Sequence, residues 1–255
     1  MRHDPQPAQL AISKQLAIVM PAYNAGKTIE RVFARIPHAV RAHVLHHIVV
    51  NDGSTDDTAD ALGRVQRHCP NLIVLEHEVN QGYGAAEKTL LRYAAGTEAE
   101  VVILLHADGQ YAPEEIPRLV APFETAEADM VQGSRMMQPS AALRGGMPLY
   151  KYVANRVLTV IENLAFGMQM AEYHSGYMLY SQRALRTIPF EKLSDNFCFD
   201  QEMLITAKIK GLKIVQVPIP THYGDEISHL KPLRYGLNVL ALVWAYKRGH
   251  YHAHI

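Results

Sequence analysis

The chain has 255 residues, 48% of them hydrophobic and 20% charged, enough to bury one substantial core and close to the upper size of a single domain. Lysine plus arginine (25) equals aspartate plus glutamate (25), so no global field draws the molecule to nucleic acid or to an acidic membrane, and any basic site must be local. The two cysteines, Cys69 and Cys198, lie far apart and outside any Cys-x-x-Cys pattern, which excludes a paired-thiol metal or redox motif and reads as buried thiols in a reducing compartment.

Residues 1–14 form a polar N-terminal extension without the apolar stretch of a secretory signal, and a cytoplasmic location is expected. From 15 to 231 a single α/β domain is expected. Near-continuous apolar segments at 16–20, 47–50, 72–75 and 101–105 read as strands buried on both faces. Between them, apolar residues three and four apart mark helices, as at Ile29, Val32, Phe33 and Ile36, then Ala59, Leu62 and Val65. Alternating β and α predicts a parallel sheet with helices on both faces, whose ligands bind beyond the carboxyl ends of the strands. The residues just after each predicted strand are polar: Pro21-Ala22-Tyr23-Asn24, Asn51 to Asp56, Asn80 to Gly84, and His106 to Gln110. All four groups are expected on one rim.

The second half continues with a predicted strand near 130–133, a long helix over about 150–166, a strand near 176–180 and a helix from about Asp200. Residues 232–255 carry a final amphipathic helical pattern, 233–246, and a tail with His250, His252 and His254, to which no role is assigned. That helix suits either a membrane surface or packing on the domain. The longest apolar run, 237–246, is about half of the roughly 18 to 20 residues that a membrane span needs.

Asp108 is the best candidate for a metal ligand, because it follows a buried strand by a few residues and Gln110 offers a carbonyl oxygen from the same side of an extended segment. Asp52 sits in turn chemistry, Asp-Gly. Thr55 is expected to cap the next helix with Asp56 and Asp57 at its N-terminus, leaving Asp52 free to accept hydrogen bonds from a nucleotide. The segment Gly82-Tyr-Gly84 makes only a weak dinucleotide fingerprint, since Glu87 stands where the third glycine belongs.

Taken in order, Pro21-Ala-Tyr-Asn24, Asn51-Asp-Gly-Ser-Thr-Asp56, Asn80-Gln-Gly-Tyr-Gly-Ala-Ala86, His106-Ala-Asp-Gly-Gln-Tyr111, Gly133-Ser-Arg135, His174-Ser-Gly-Tyr177 and Phe199-Asp-Gln-Glu202 resemble glycosyltransferase family 2 over about Leu16 to Lys231. The likeness is greatest to its branch of dolichyl-phosphate mannosyltransferases and other polyprenyl-phosphate glycosyltransferases. The resemblance implies the GT-A fold, a Rossmann-like sheet with an acceptor-binding second half. It also implies an inverting transfer of a hexose from a GDP-mannose or UDP-glucose type donor, and a divalent cation, Mn2+ or Mg2+.

By the same resemblance Pro21, Ala22, Tyr23, Asn24, Asp52, Gly53, Asn80, Gly82, His106 and Ala107 would line the donor pocket, and Asp108, Gln110 and His222 would hold the metal. Arg135, Arg144, His174, Ser175 and Lys231 would face the acceptor, a polyprenyl phosphate at the inner membrane face reached by a peripheral protein. Asp108, Asp200 and Arg135 would form the catalytic set. Three positions depart from the family pattern: Ala25 where glutamate is common, Asn51 where aspartate is, and His106 in place of the first carboxylate of an Asp-x-Asp motif. His106 could replace that ligand through a neutral imidazole.

Asp200 resembles the general base of members that glycosylate a hydroxyl. A phosphate acceptor is largely ionised near neutrality, with a second pKa of about 6, and needs no base. The remaining readings are transfer to a hydroxyl of a growing glycan and a catalytically weak nucleotide-sugar-binding relative. Nothing in the sequence fixes an oligomeric state.

Overall fold

The protein is described by a computed structural model covering residues 12–220 and 232–254. Among these residues seven strands form one sheet: β1 (Leu16–Ala22), β2 (Val44–Asp52), β3 (Leu72–His77), β4 (Val101–Leu104), β5 (Met130–Ser134), β6 (Met178–Ser181) and β7 (Ile214–Pro218). Their order is β3-β2-β1-β4-β6-β5-β7. The central strands are the apolar runs of the sequence, and Leu16 to Met20 and Val101 to Leu104 are almost fully buried. A strand covered on both faces has no position for a polar side chain, which is why these runs show no alternation.

The sheet is parallel throughout its first four strands, as the alternation predicts. β6 is the exception, lying antiparallel to both β4 and β5. The reason is where the chain goes after β5. Ser134 ends that strand at the carboxyl rim, and the excursion that follows, including the helices Pro139–Arg144 and Leu149–Phe166, brings the chain back so that Met178 pairs with Gln132. β6 therefore starts where β5 ends.

Helices cover both faces. The Ile29–Arg35, Thr58–Gln66 and Ile116–Glu124 helices share one apolar cluster with β1 and β4. The Tyr83–Ala95 and Phe199–Ile209 helices, with the inner side of Pro232–Lys247, form the other. Fully buried side chains such as Leu90, Leu91, Leu204 and Phe199 each contribute about 1.5–3 kcal/mol of transfer free energy. Val239 and Leu242 of the Pro232–Lys247 helix join this core, whereas Leu237, Leu240 and Trp244 stay exposed. Cys198 is buried; Cys69, expected to be buried, is only half-buried, and both are free thiols.

Candidate active site

β1 is flanked by β2 on one side and β4 on the other. The chain order reverses between β1 and β4, and a crevice opens at such a switch point beyond the strand ends. The loops after these strands interlock there. Asn24, held at φ 51°, a conformation asparagine tolerates better than most residues, accepts from Thr55 N on Oδ1 (2.9 Å) and donates from its own N to Ser54 Oγ (2.9 Å). Tyr23 beside it is 42% exposed, on the open side of the rim, while the Ala22 and Ala107 side chains are buried.

The cap of the Thr58–Gln66 helix differs from the expected Thr55. Asp56 Oδ1 accepts from Thr58 N (3.0 Å) and Oδ2 from Gly26 N (3.1 Å), tying the helix start to the β1 loop. The departure at Ala25 follows from the same junction, for Ala25 is buried and its N donates to Thr58 Oγ1 (2.8 Å). Asn51 also has a local reason. Its Nδ2 donates to Glu76 Oε2 (2.9 Å) in a buried position, where an aspartate would press two carboxylates together.

Asp52 is not left free. It is 3% exposed; Oδ1 meets His77 Nδ1 (2.6 Å) and Gln81 N (2.9 Å), and Oδ2 accepts from Gly82 N (3.1 Å). Both oxygens thus shape the 80–83 turn, and Asn80 Nδ2 closes it by donating to Asp52 O (3.2 Å). Gly53 permits this approach: at φ 64°, a Cβ there would stand 2.4 Å from Asn80 N. Pro21 and Gly82 border the same crevice, Gly82 at φ 98° as the entry to the Tyr83–Ala95 helix.

The loop after β4 turns at Gly109 (φ 79°), and Asp108 Oδ1 accepts from Gln110 N (2.9 Å). Arg31, which the sequence does not single out, reaches this loop: its Nη2 lies 3.8 Å from where a Cβ on Gly109 would stand. Among the described residues no three His, Cys, Asp or Glu side chains come together as a metal cage. One carboxylate with a neighbouring amide oxygen suits a hard cation that takes its remaining ligands from a diphosphate and water, as Mg2+ and Mn2+ do. Asp108 is the carboxylate of this loop with the chemistry for such a set, and Gln110, tied to it through its backbone N, carries the amide. His106 is already engaged through Nε2, 3.0 Å from the Tyr83 hydroxyl.

That contact belongs to a buried polar chain. The Tyr83 hydroxyl donates to Asp200 Oδ2 (2.9 Å), and Phe197 stacks on the Tyr83 ring at 5.2 Å between centroids. Glu87, fully buried one turn along the helix, faces the same space. Burial pushes the Asp200 carboxyl up to about 7 against the opposing hydrogen bond from Tyr83. Burial, then the Asp200 charge, raises Glu87 well above the usual carboxylate range. Desolvation lowers His106, with Arg135 acting in the same direction and Asp108 opposing, so its imidazole is neutral. The two carboxyls hold at least one proton between them near neutrality.

A stability consequence follows. Glu87 is protonated when folded and ionised when unfolded at any pH between its ordinary value of 4.5 and its raised one, so it destabilises the fold increasingly as pH rises through that window. Glu87→Gln removes the cost. Its melting midpoint is expected to exceed that of the wild type at pH 8, with the gain vanishing near pH 4. An equal loss at both pH values in a thermal melt would contradict this.

On the second half of the rim, Arg135 is drawn inward. Its Nη2 donates to His174 O (2.8 Å) and meets Glu172 Oε2 (3.4 Å), and the guanidinium lies 5.9 Å from the Tyr111 ring centroid. Glu172, with no exposed surface, also accepts from Arg135 N and Asn155 Nδ2. His174 is paired with buried Glu162 (3.1 Å) and with the Tyr235 hydroxyl (2.9 Å). Ser175 is fully buried, so its side chain has no surface to offer the expected acceptor, and Gln132 of β5 donates to its carbonyl (2.9 Å). Arg144 is exposed at the end of its short helix. His222 and Lys231 lie outside the described residues.

Gly176 is a point of close approach between the halves. A Cβ on it would stand 2.7 Å from the Tyr83 hydroxyl and 2.9 Å from His106 Cε1, and its N donates to the Tyr111 hydroxyl (2.8 Å). Tyr83 and Tyr111 stand inside motifs of the sequence without a role assigned to them, and Phe197 carries no sequence signal of its own. Glu87 is visible in the sequence only as the residue that breaks the glycine fingerprint.

The model for "Glycosyl transferase family 2" matches residues 17–188. The UDP-N-acetylglucosamine–dolichyl-phosphate N-acetylglucosaminyltransferase of Methanococcus voltae is 30% identical over 224 residues, covering 83% of this chain and 87% of that protein. The polyprenol monophosphomannose synthase of Mycolicibacterium smegmatis is 26% identical over 215 residues, covering 84% and 79%. Among solved structures, glucosyl-3-phosphoglycerate synthase of Mycobacterium tuberculosis superposes with a TM-score of 0.65 at 24% identity, covering 93% of this chain and 81% of that one. The same enzyme in complex with Mn2+, UDP and phosphoglyceric acid gives 0.63 at 22%. The fold is thus GT-A.

Proposed function

The chain belongs to glycosyl transferase family 2, and on that footing we propose that it transfers a hexose, with inversion, from a nucleotide-diphosphate sugar to the phosphate of a polyprenyl phosphate. An acceptor phosphate oxygen forms the new bond to the anomeric carbon as the bond to the diphosphate breaks, and the nucleoside diphosphate leaves with the electron pair. Tyr23 and the backbone around Asn24, Asn80 and Gly82 border the donor pocket, while Asp52 fixes the turn that carries two of them. Asp108 and Gln110 would hold a divalent cation, Mn2+ or Mg2+, which when bound neutralises the diphosphate and stabilises it as a leaving group. The dolichyl-phosphate and polyprenol relatives and the Mn2+ and UDP of the structural neighbour support this reading.

One observation carries the acceptor class. Asp200, the group that would have to deprotonate an incoming hydroxyl, is 7% exposed, hydrogen-bonded by Tyr83 and set beside a second buried carboxyl. A base in that state is shielded from an acceptor, and a phosphate acceptor has no need of one. Asp200→Asn preserves the shape and the bond from Tyr83. Its turnover with a polyprenyl phosphate is expected to stay within about tenfold of the wild type, whereas loss of a true general base costs about 10²–10⁴-fold. A fall of that size would transfer the assignment to a hydroxyl of a growing glycan.

A further inference from the structure

The Leu149–Phe166 helix has two unlike faces. Thr159, Glu162, Ala165 and Phe166 are buried against the domain, yet Val153, Val157, Val160 and Leu164, spaced four, three and four residues apart, are 50%, 54%, 57% and 78% exposed. The Pro232–Lys247 helix packs alongside it, with Phe166 and Tyr246 rings 4.9 Å apart, and turns Leu237 and Trp244 outward, 63% and 58% exposed. Exposed apolar side chains thus recur at helical spacing on two adjacent helices, unlike apolar residues scattered singly over a surface.

The charges beside the stripe are of one sign. Residues 149–166 and 235–253 contain Lys151, Arg156, Lys247 and Arg248, and a single acid, Glu162, which is fully buried against His174. In a chain whose total charge balances, these helices are cationic. The Arg248 guanidinium lies 3.6 Å from the Trp244 ring centroid, an apolar ring next to a cation, as at a membrane–water boundary. The four-three spacing alone would also suit pairing with a second copy, but a helical pair of this kind relies on opposite charges flanking its seam, and two copies would bring like charges together. Lipid phosphates supply the missing anion.

We propose that these two helices form a docking face for the surface of an anionic phospholipid bilayer, with their outer apolar side chains inserted to shallow depth. The face rests on the lipid-phosphate reading of the acceptor for its purpose. Its first helix reaches from the membrane to the acceptor wall: Asn155 Nδ2 donates to Glu172 (3.2 Å), which holds Arg135, and Arg156 Nη2 donates to Met136 O (3.0 Å). No helix among the described residues is long and apolar enough to cross the bilayer, so the contact is interfacial.

The test is sedimentation with sucrose-loaded vesicles, without donor or acceptor. The wild type is expected to bind vesicles containing a third phosphatidylglycerol at least about tenfold more tightly than pure phosphatidylcholine vesicles, and to release in high salt. A Val153→Ser, Val157→Ser, Leu164→Ser variant, altered only at exposed positions, is expected to lose about tenfold in vesicle binding with its melting midpoint unchanged. Failure of the wild type to bind, or unchanged binding by the variant, would overturn the docking face. A dimer in sedimentation velocity that the same substitutions dissociate, with no vesicle binding, would assign the stripe to a second copy instead. Vesicle binding without any transfer would leave the face standing and sink only the acceptor reading.

Discussion

Asp108→Ala is expected to lower turnover by at least about 10²–10³-fold, and added Mn2+ is not expected to rescue it. The departure at His106 leaves a single carboxylate after β4, and among the described residues no further cluster of acidic or histidine side chains stands by. His106 cannot take over readily, since its Nε2 is held at 3.0 Å by Tyr83 and its imidazole is surrounded by Tyr83 and Tyr111 rings. Removing Asp108 therefore removes the one anionic ligand that the described residues bring to the proposed cation site, and with it the charge balance that would let a diphosphate depart. A steady-state assay over a range of Mn2+ and Mg2+ concentrations measures this directly. Asp108→Asn, which keeps an oxygen but not the charge, should fall between.

Gly176→Ala is expected to reduce kcat/KM by roughly 100-fold and to destabilise the fold by about 1–3 kcal/mol. Its backbone is not in the left-handed region, so the effect comes from space alone. The added methyl would lie 2.7 Å from the Tyr83 hydroxyl and 2.9–3.0 Å from two atoms of the His106 ring. Tyr83 is pinned by Asp200 and Phe197, and His106 by Tyr83 and Tyr111, so neither yields without breaking the polar chain. Comparing kcat/KM and the melting midpoint with those of Gly167→Ala, where nothing lies within 4 Å of the added atom but φ is 64°, separates crowding at the site from general strain. Normal kinetics in Gly176→Ala would show that the Tyr83–His106 contact is dispensable.

Much of the fold is legible in the sequence because the central strands of a parallel sheet are covered on both sides and read as unbroken apolar runs. That property also marks the carboxyl rim, since polar residues reappear as each strand ends, which is how Tyr23, Asp108 and their neighbours stand out. The reversed β6 does not show, because direction is set by the course of the 135–177 excursion and not by any residue within 178–181. Asp52 misleads for a related reason. Turn chemistry gives its place, but its partners His77, Gln81 and Gly82 come from the next strand and loop. The link from Tyr83 to Asp200 spans 117 residues, a separation over which local patterning carries no information. The exposed stripe on the Leu149–Phe166 helix escapes notice because its spacing is that of an ordinary core-facing helix; only the fold shows which side is covered.

Isothermal titration of nucleotide sugars, GDP-mannose and UDP-glucose among them, into the wild type and Asp108→Ala, with and without Mn2+, tests the central claim most directly. The expected result is one donor whose affinity for the wild type rises at least about tenfold with the metal, while Asp108→Ala shows the same weak binding in both conditions. Equal, metal-enhanced binding by the two proteins would contradict the placement of the catalytic centre at Asp108.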